Sequence, residues 1–452
     1  MRIALTRPLF DWAALEDSPS LASLRELLAL IPDGLLLQGL RQHRGRGRND
    51  YPVTVLWGVV LLTVLLRHKD FEACLAELRR NAGLRRLIGI EEEDQVPRKW
   101  NVSRFLGVLG SEPHRTRLLE VFDRMAERLG QVVPDLGKNL AGDATALRAQ
   151  KKRRVAEQEA ERAEGLPQPS GGRKEYLDDA GKVSEVYEWF GYKLHLLVDV
   201  KHEVAVAYAV TSPAAGDGET LPEVLRRAQA NLPAQRIKTL AYDKAADSNA
   251  VHELLEVAKI KPLIQMRKLW KEDAQRMLPG HDGNSNVVYD EAGTLYCYDR
   301  QSVPMVRHPM SYTGYEASRG TLKYRCPAVH EGWPCPSEAV CNAGRAFGKT
   351  VRVKREIDLR RFPPIPRATK QFERRYRGRT AVERVNGRLK VFWGADDGNI
   401  VGARRFHALV GVVMVAHLAF ATQLAATPRR EGTLGKMRLS PIARKLREVL
   451  RQ

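Results

Sequence analysis

The sequence predicts a mixed α/β protein with an all-helical N-terminal domain. A mixed sheet flanked by helices follows, then an irregular, partly β insertion ahead of two last helices. Three observations lead there. Apolar residues recur at helical spacing through residues 1–130. From 138 to 264, β-branched alternation interleaves with helical stretches. Between 265 and 370, short alternating runs are broken by proline and cysteine before helical periodicity returns.

In the N-terminal part, Leu21–Leu30, Val53–Leu66, Phe71–Leu78 and Leu118–Leu129 each present a helical apolar stripe. Pro32-Asp33-Gly34, the run Arg44-Gly45-Arg46-Gly47-Arg48-Asn49-Asp50, and Val96-Pro97 separate them. Asn101 or Ser103 is the expected cap of the helix that follows Pro97. The core begins with a strand at Asn139–Leu147 and a hairpin over Val186–Thr211 that turns at Lys201-His202. Helix (219–230), strand (236–242), helix (248–258) and strand (Ile260–Ile264) complete a β-β-β-α-β-α-β order, which requires a mixed sheet with helices packed on it. Residues 148–185 carry KKRR, a Glu/Arg-rich run and PQPSGG, the composition of a mobile, solvated insertion without a core of its own. Residues 371–426 read as the closing helices, at 373–393 and 403–425, and 427–452 as a basic tail. No internal repeat is present.

The 452 residues carry a formal charge of +20, with 43% hydrophobic and 28% charged residues. That is a globular composition whose cationic excess calls for an anionic partner, nucleic acid before acidic membrane. The first residues lack the apolar core of a signal peptide, so secretion is not expected. The longest apolar stretch, 408–421, is interrupted by His417 and falls short of the roughly 18 residues of a membrane span; it reads as a buried helix. Five cysteines in an unsecreted chain should stay reduced. Four of them, Cys297, Cys326, Cys335 and Cys341, could ligate structural zinc. Their spacing lacks tight C-x2-C pairs, His308 or His330 could stand in for one ligand, and free thiols are the alternative.

The chemistry rests on three acids. Asp143, in Leu140-Ala141-Gly142-Asp143-Ala144-Thr145, and Asp243, in Thr239-Leu240-Ala241-Tyr242-Asp243-Lys244, both sit at or near predicted strand ends. Oxygen ligands from one sheet suit Mg²⁺, although either acid alone also reads as a turn or cap. Asp247 or Ser248 is available to cap the next helix. On the helix 373–393, Tyr376, Arg379, Glu383 and Lys390 fall within an arc of roughly 60°, opposite Val382, Val385, Leu389 and Phe392. An ordinary Arg379–Glu383 pair on a solvated face would give the same pattern.

Tyr376-x2-Arg379-x3-Glu383-x6-Lys390 resembles the signature around the catalytic glutamate of a large group of insertion-sequence DDE transposases. Gly142-Asp143-Ala144, Phe190-Gly191-Tyr192-Lys193-Leu194-His195 and Tyr242-Asp243-Lys244 resemble further pieces of that group, and Arg48-Asn49-Asp50-Tyr51-Pro52 its N-terminal domain. The resemblance implies a ribonuclease H-like core and strand cleavage and transfer with two Mg²⁺ (or Mn²⁺) ions held by Asp143, Asp243 and Glu383. It implies double-stranded DNA as partner, with no membrane and a dimer in the DNA complex. It also implies a prokaryotic cytoplasmic protein, nucleoid-associated when bound to DNA. Arg379 and Lys390 would then contact transposon-end phosphates, with Tyr376 packing nearby. Arg44, Arg46 and Arg48 read either as a minor-groove hook or as a solvated basic loop. His195 reads as a hydrogen-bonding core histidine, and Asp217 and Glu219 as cap and first-turn acid of a helix. A ribonuclease H-like nuclease without strand transfer, or an inactive DNA-binding regulator, is the competing function.

Overall fold

The computed structural model describes residues 19–46, 51–150, 155–178, 182–267, 269–270, 274–279, 285–397 and 400–426. Arg48, the KKRR run and the basic tail lie outside these residues. The described residues begin with seven helices: α1 (Pro19–Ala29), α2 (Gly34–Arg44), α3 (Val53–Leu65), α4 (Phe71–Arg80), α5 (Ala82–Leu87), α6 (Lys99–Leu109) and α7 (His114–Val132). α3 is apolar on every side and is correspondingly buried along most of its length. Asp70 and Asn81 cap α4 and α5 by accepting from Ala73 and Leu84 backbone N–H groups. The expected cap of α6 is corrected: the helix starts at Lys99, and Asn101 reaches back to accept from the Arg98 N–H at 3.1 Å. Asn101 thus closes the first turn from inside, as the third residue of a capping box does.

The central sheet has six strands. β1 (Asn139–Arg148) is followed by α8 (Val155–Ala163), β2 (Ser170–Leu177), β3 (Val183–Asp199) and β4 (Ala205–Thr211). Then come α9 (Asp217–Asn231), β5 (Thr239–Tyr242), α10 (Asn249–Val257) and β6 (Lys261–Ile264). The order is β2-β3-β1-β5-β6, with β4 also on β3. β3 runs antiparallel to β1, β2 and β4, whereas β5 and β6 run parallel to β1. The mixed sheet and its helix order are as the alternation predicts. The stretch expected to be coreless differs: β2 lengthens the sheet along β3, and Leu166 is buried in the main core. Its apolar residues are too sparse to show a period, but pairing with β3 satisfies the backbone.

Residues 276–354 build two small antiparallel sheets with their own core around Val287, Leu295, Leu322 and Val353. The first orders β7 (Arg276–Met277), β8 (Val287–Tyr289), β9 (Leu295–Asp299) and β10 (Val306–Pro309) in sequence. The second is β11 (Ser311–Glu316), β12 (Thr321–Arg325) and β13 (Thr350–Lys354), with α11 (Pro327–Glu331) and α12 (Glu338–Cys341) between the last two. Arg355 fastens this lobe to α10 through a bidentate pair with Glu256, at 2.8 and 2.7 Å.

The chain closes with α13 (Lys370–Tyr376), a 3-10 turn at Arg377–Arg379, α14 (Thr380–Trp393) and α15 (Ala403–Ala426). The helix expected at 373–393 is therefore two helices joined by one tighter turn. α15 is long and apolar enough to cross a membrane, but 78% of its most apolar window is buried inside the protein. It packs between the N-terminal helices and the sheet, so both ends of the described chain share one core. Tyr192 of β3 stacks on Phe406 of α15 at 4.3 Å.

Three histidines are locked into this core as neutral groups. His417 accepts the Ala205 N–H at 3.0 Å, and burial followed by the charge of Arg388 lowers its pKa to about 3. His407 is lowered to about 3, chiefly by burial and then by Arg115. His195 is lowered to about 4 by burial and then Lys193. The unfolded chain takes up these protons near pH 6.5 and the folded chain does not. Their stabilising contribution is therefore complete above pH 6.5 and is lost as pH falls toward 3–4, by about 1.4 kcal/mol per pH unit per histidine. Buried acids such as Asp143 pull the other way, so the difference between variants is the informative quantity. His417→Gln, which keeps an acceptor for Ala205, should show a shallower loss of stability between pH 6.5 and 4.5 in denaturant melts. Equal slopes in the two proteins would contradict this reading.

Candidate active site

β1 and β5 run side by side and in register, Ala141 against Ala241. Two residues further along each segment stand Asp143, still within β1, and Asp243, which leads into a 3-10 turn. Asp243 stands one residue past the end of β5, as expected. Asp143 is instead mid-strand, opposite Leu196, because the antiparallel partner β3 carries β1 well beyond the end of β5. Gly142 is required here: a Cβ at that position would lie 2.1 Å from the Tyr242 ring, which fills the space beneath the two acids.

Asp143 is largely buried, and burial raises its pKa to about 6 against the opposing charge of Arg379, while Asp217 pushes it further up. Asp243 accepts from the Lys244 N–H at 2.6 Å. The sequence reading missed Asp217. It is the first residue of α9, where an acid is ordinarily a dipole or cap group. Here Glu219 does the first-turn work by reaching back to the Gly216 N–H, and Asp217 faces the other acids. Its pKa is raised by burial and by the charge of Asp243, and His195 Nδ1 lies 3.8 Å from it. His195 Nε2 bonds Thr211 at 2.9 Å, which fits the hydrogen-bonding histidine expected. Ser248, not Asp247, caps α10. Asp247 is buried; burial pushes its carboxyl up, but hydrogen bonds from His252 and Arg360 hold it down to about 2. That node pins the segment after Asp243 to the β lobe.

Glu383 enters from α14. The 3-10 turn places Arg379 just ahead of that helix, with its guanidinium 2.8 Å from Glu383 and 4.0 Å from Asp143. Burial lowers the Arg379 pKa, yet Tyr376, Glu383, Asp143 and Asp243 together outweigh it and hold the group raised. All three expected acids thus act on one cation. Tyr376 stacks on Phe372 at 5.6 Å and lines the same spot. Lys390 is not brought to the acids: it sits 3.7 Å from Asp396, beside Arg148 at the end of β1. The apolar face of α14 is as predicted, with Val382, Val385 and Leu389 buried. Two arginines of the helix, Arg384 (2.6 Å) and Arg388, clamp Glu203 in the β3–β4 turn.

The donor set is carboxylate oxygen throughout, which suits a hard divalent ion. Two desolvated acids, Asp143 and Asp217, with Asp243 and the exposed Glu383 close by, are the electrostatic setting in which such an ion is stabilised. Among the described residues no three His, Cys, Asp or Glu side chains stand close enough to grip an ion as they are. Arg374 and Arg375 of α13 and Lys244, next to Asp243, are exposed.

In the N-terminal part, Arg44 is fixed by donating to the Tyr51 carbonyl, while Arg46 is exposed in the turn. This fits a structured turn for Arg44 better than a hook. Nearby, His43, Arg44, Tyr51, Arg98, Trp100 and Arg104 line an open cleft of about 530 Å³, with the Trp100 indole largely exposed. Sequence reading missed this cleft because its members come from three helices and a turn. Cys297, Cys326, Cys335 and Cys341 line one small pocket in the β lobe.

Residues 139–419 match the family model described as Transposase DDE domain, and residues 12–107 match a second model described as Transposase domain. The chain belongs to the DDE transposase family. No curated protein matches it. Among solved structures it is similar to a Mos1 transposase paired-end complex with left transposon end, at 16% identity and a TM-score of 0.17. A pre-cleavage Mos1 transpososome shows 15% identity and the same TM-score. In each case 48% of this chain and 60% of the other are covered, so the chain spans about 60% of the length of the structures it matches. A likeness this slight carries no weight for fold or function.

The Glu203 clamp fixes where α14, and with it Glu383, sits over the sheet. Glu203→Ala removes the carboxylate that Arg384 and the half-buried Arg388 share and should cost about 1–3 kcal/mol of stability. Metal-dependent activity should fall more steeply than the folded fraction, although Glu203 lies away from the acids. Activity that simply tracks the folded fraction would mean that the clamp does not position the helix.

Proposed function

We propose that the chain is an insertion-sequence DNA transposase that binds the terminal inverted repeats of its element and carries out Mg²⁺-dependent (or Mn²⁺-dependent) strand cleavage and strand transfer. The observation that carries this reading is that Asp143 and Glu383, from separate elements, meet at the guanidinium of Arg379 at 4.0 and 2.8 Å, with Asp243 near enough for its charge to act on the same group. The antiparallel meander β1-β3-β4, followed by the parallel strands β5 and β6, supports the ribonuclease H-like core that the resemblance implies.

Asp143, Asp243 and Glu383 would hold the two ions. When bound, such a pair activates a water or 3′-hydroxyl nucleophile and stabilises the leaving oxygen of a phosphodiester. Arg379 is positioned to exchange its two carboxylates for a backbone phosphate as DNA enters, because a guanidinium binds either in the same bidentate manner. Tyr376, packed on Phe372, keeps that guanidinium over the site. The exposed Arg374, Arg375 and Lys244 carry the flanking backbone. Lys390, half-buried on Asp396, serves DNA only after releasing that partner. The cleft at Arg98, Trp100 and Arg104 suits the docking of an inverted repeat on the N-terminal helices, since it combines cations with an exposed indole. Joining both ends of one element calls for two copies of the chain in the complex, acting on chromosomal DNA in the cytoplasm of a prokaryote.

The test is a plasmid carrying the element's ends, incubated with protein and Mg²⁺. The wild type should nick the ends and join them to target DNA. Asp143→Ala, Asp243→Ala and Glu383→Ala should each lose both steps by about 100-fold or more, with end binding in gel shifts retained. Cleavage without joining would identify a nuclease. Binding without cleavage would identify a regulator.

A further inference from the structure

We infer that the β lobe is a structural zinc module, with Cys297, Cys326, Cys335 and Cys341 as its four ligands. The cysteines arrive from separate places. Cys297 lies in β9, Cys326 follows β12 directly, Cys335 lies in the loop after α11, and Cys341 ends α12. All four line a single cavity of about 20 Å³, room for one water-sized occupant. No other cysteine lies in the lobe, and Cys74, the fifth, is buried among the N-terminal helices.

The surroundings are those of thiolates held for a metal. Asn286 donates to Cys341 Sγ at 3.6 Å and Asn342 to Cys326 Sγ at 3.7 Å. The Ser337 backbone N–H donates to the Cys335 thiol, two residues back in the chain. Lys349 donates to Asn286 Oδ1 at 2.7 Å, which aims that amide's nitrogen toward sulfur. It also brings a positive charge to a site whose four thiolates would exceed the charge of one zinc ion. N–H donors to sulfur and a further group orienting them are the usual outer shell of a thiolate metal site.

The lobe also needs such a fastening. Its strands run two to six residues, and its core is a small cluster around Val287, Leu295, Leu322 and Val353. Domains this short on core are commonly stapled by a metal or by disulfides. The four sulfurs surround the cavity without yet standing at ligating distance. Cys335 and Cys341 are only half-buried and sit in a loop and a one-turn helix. Zinc would displace four thiol protons or their equivalents to buffer and leave a closed tetrahedral site without redox chemistry.

The experiment is metal analysis of the full-length protein purified without chelator and dialysed against metal-free buffer. About one zinc per chain is expected by mass spectrometry, released in step with mercurial titration of the thiols. Cys326→Ser and Cys341→Ser should lose the metal, and Cys74→Ala should keep it. Because the serine variants could misfold, Cys335→His serves as a second variant: it preserves a tetrahedral nitrogen–sulfur site and should retain zinc. Cobalt substitution should give thiolate charge-transfer absorption that weakens by one ligand in Cys335→His. Zinc-free protein with all five thiols titratable would overturn the inference, as would cysteines paired in disulfides. Zinc that survives in both serine variants would also overturn it.

Discussion

The arrangement depends on the sharing of one guanidinium among acids that would otherwise repel one another. Asp143 is desolvated enough to lift its pKa to about 6, and Asp217 and Asp243 add like charge close by. A group of this kind is stable only with a cation among its members. Arg379 is the cation in contact with them, 2.8 Å from Glu383 and 4.0 Å from Asp143, and Lys174 and Lys193 add positive charge toward Asp143 and Asp217. The same electrostatic need would recruit divalent ions, and the same arginine would then be available for phosphate. Attraction for metal and for DNA backbone thus follow from one charge imbalance.

Much of the remaining fold keeps those acids together. Parallel pairing of β1 and β5 fixes the two aspartates relative to each other, and Gly142 admits the Tyr242 ring that supports them. The buried Asp247 node ties the segment after Asp243 to the β lobe through Arg360. Glu203 ties α14 to the turn at the far end of the hairpin. α15 joins the sheet to the N-terminal helices in one core.

Elements with a strong period were legible in the sequence: α3, α7, β3, β4 and α15 lie where apolar spacing puts them. β2 was not, because a polar strand paired only along the outer half of β3 has little apolar alternation to betray it. Asp243 was legible as an acid at a strand end, whereas Asp143 lies mid-strand; the parallel pairing of their strands was not legible, since it joins segments about 100 residues apart. Glu383 and Arg379 were legible from spacing. Both weighed meanings of that pair are compatible with the geometry, for the helical ion pair is itself part of the acidic cluster. Asp217 was hidden by its position, because an acid at a helix start already has a sufficient local explanation. The cysteines were ambiguous for a similar reason: chain spacing of this width does not reveal that four strand and loop ends meet at one cavity.

The central claim is that Asp143, Asp243 and Glu383 form a single divalent-ion site. Iron-directed backbone cleavage tests it most directly. Fe²⁺ is loaded in place of Mg²⁺, and ascorbate and peroxide then generate hydroxyl radicals at the bound ion. The account predicts three clusters of cuts, around residues 143, 243 and 383, all suppressed by excess Mg²⁺ and all weakened together in Asp143→Asn. Cuts confined to one of these segments, or cuts around 383 that persist unchanged in Asp143→Asn, would contradict it.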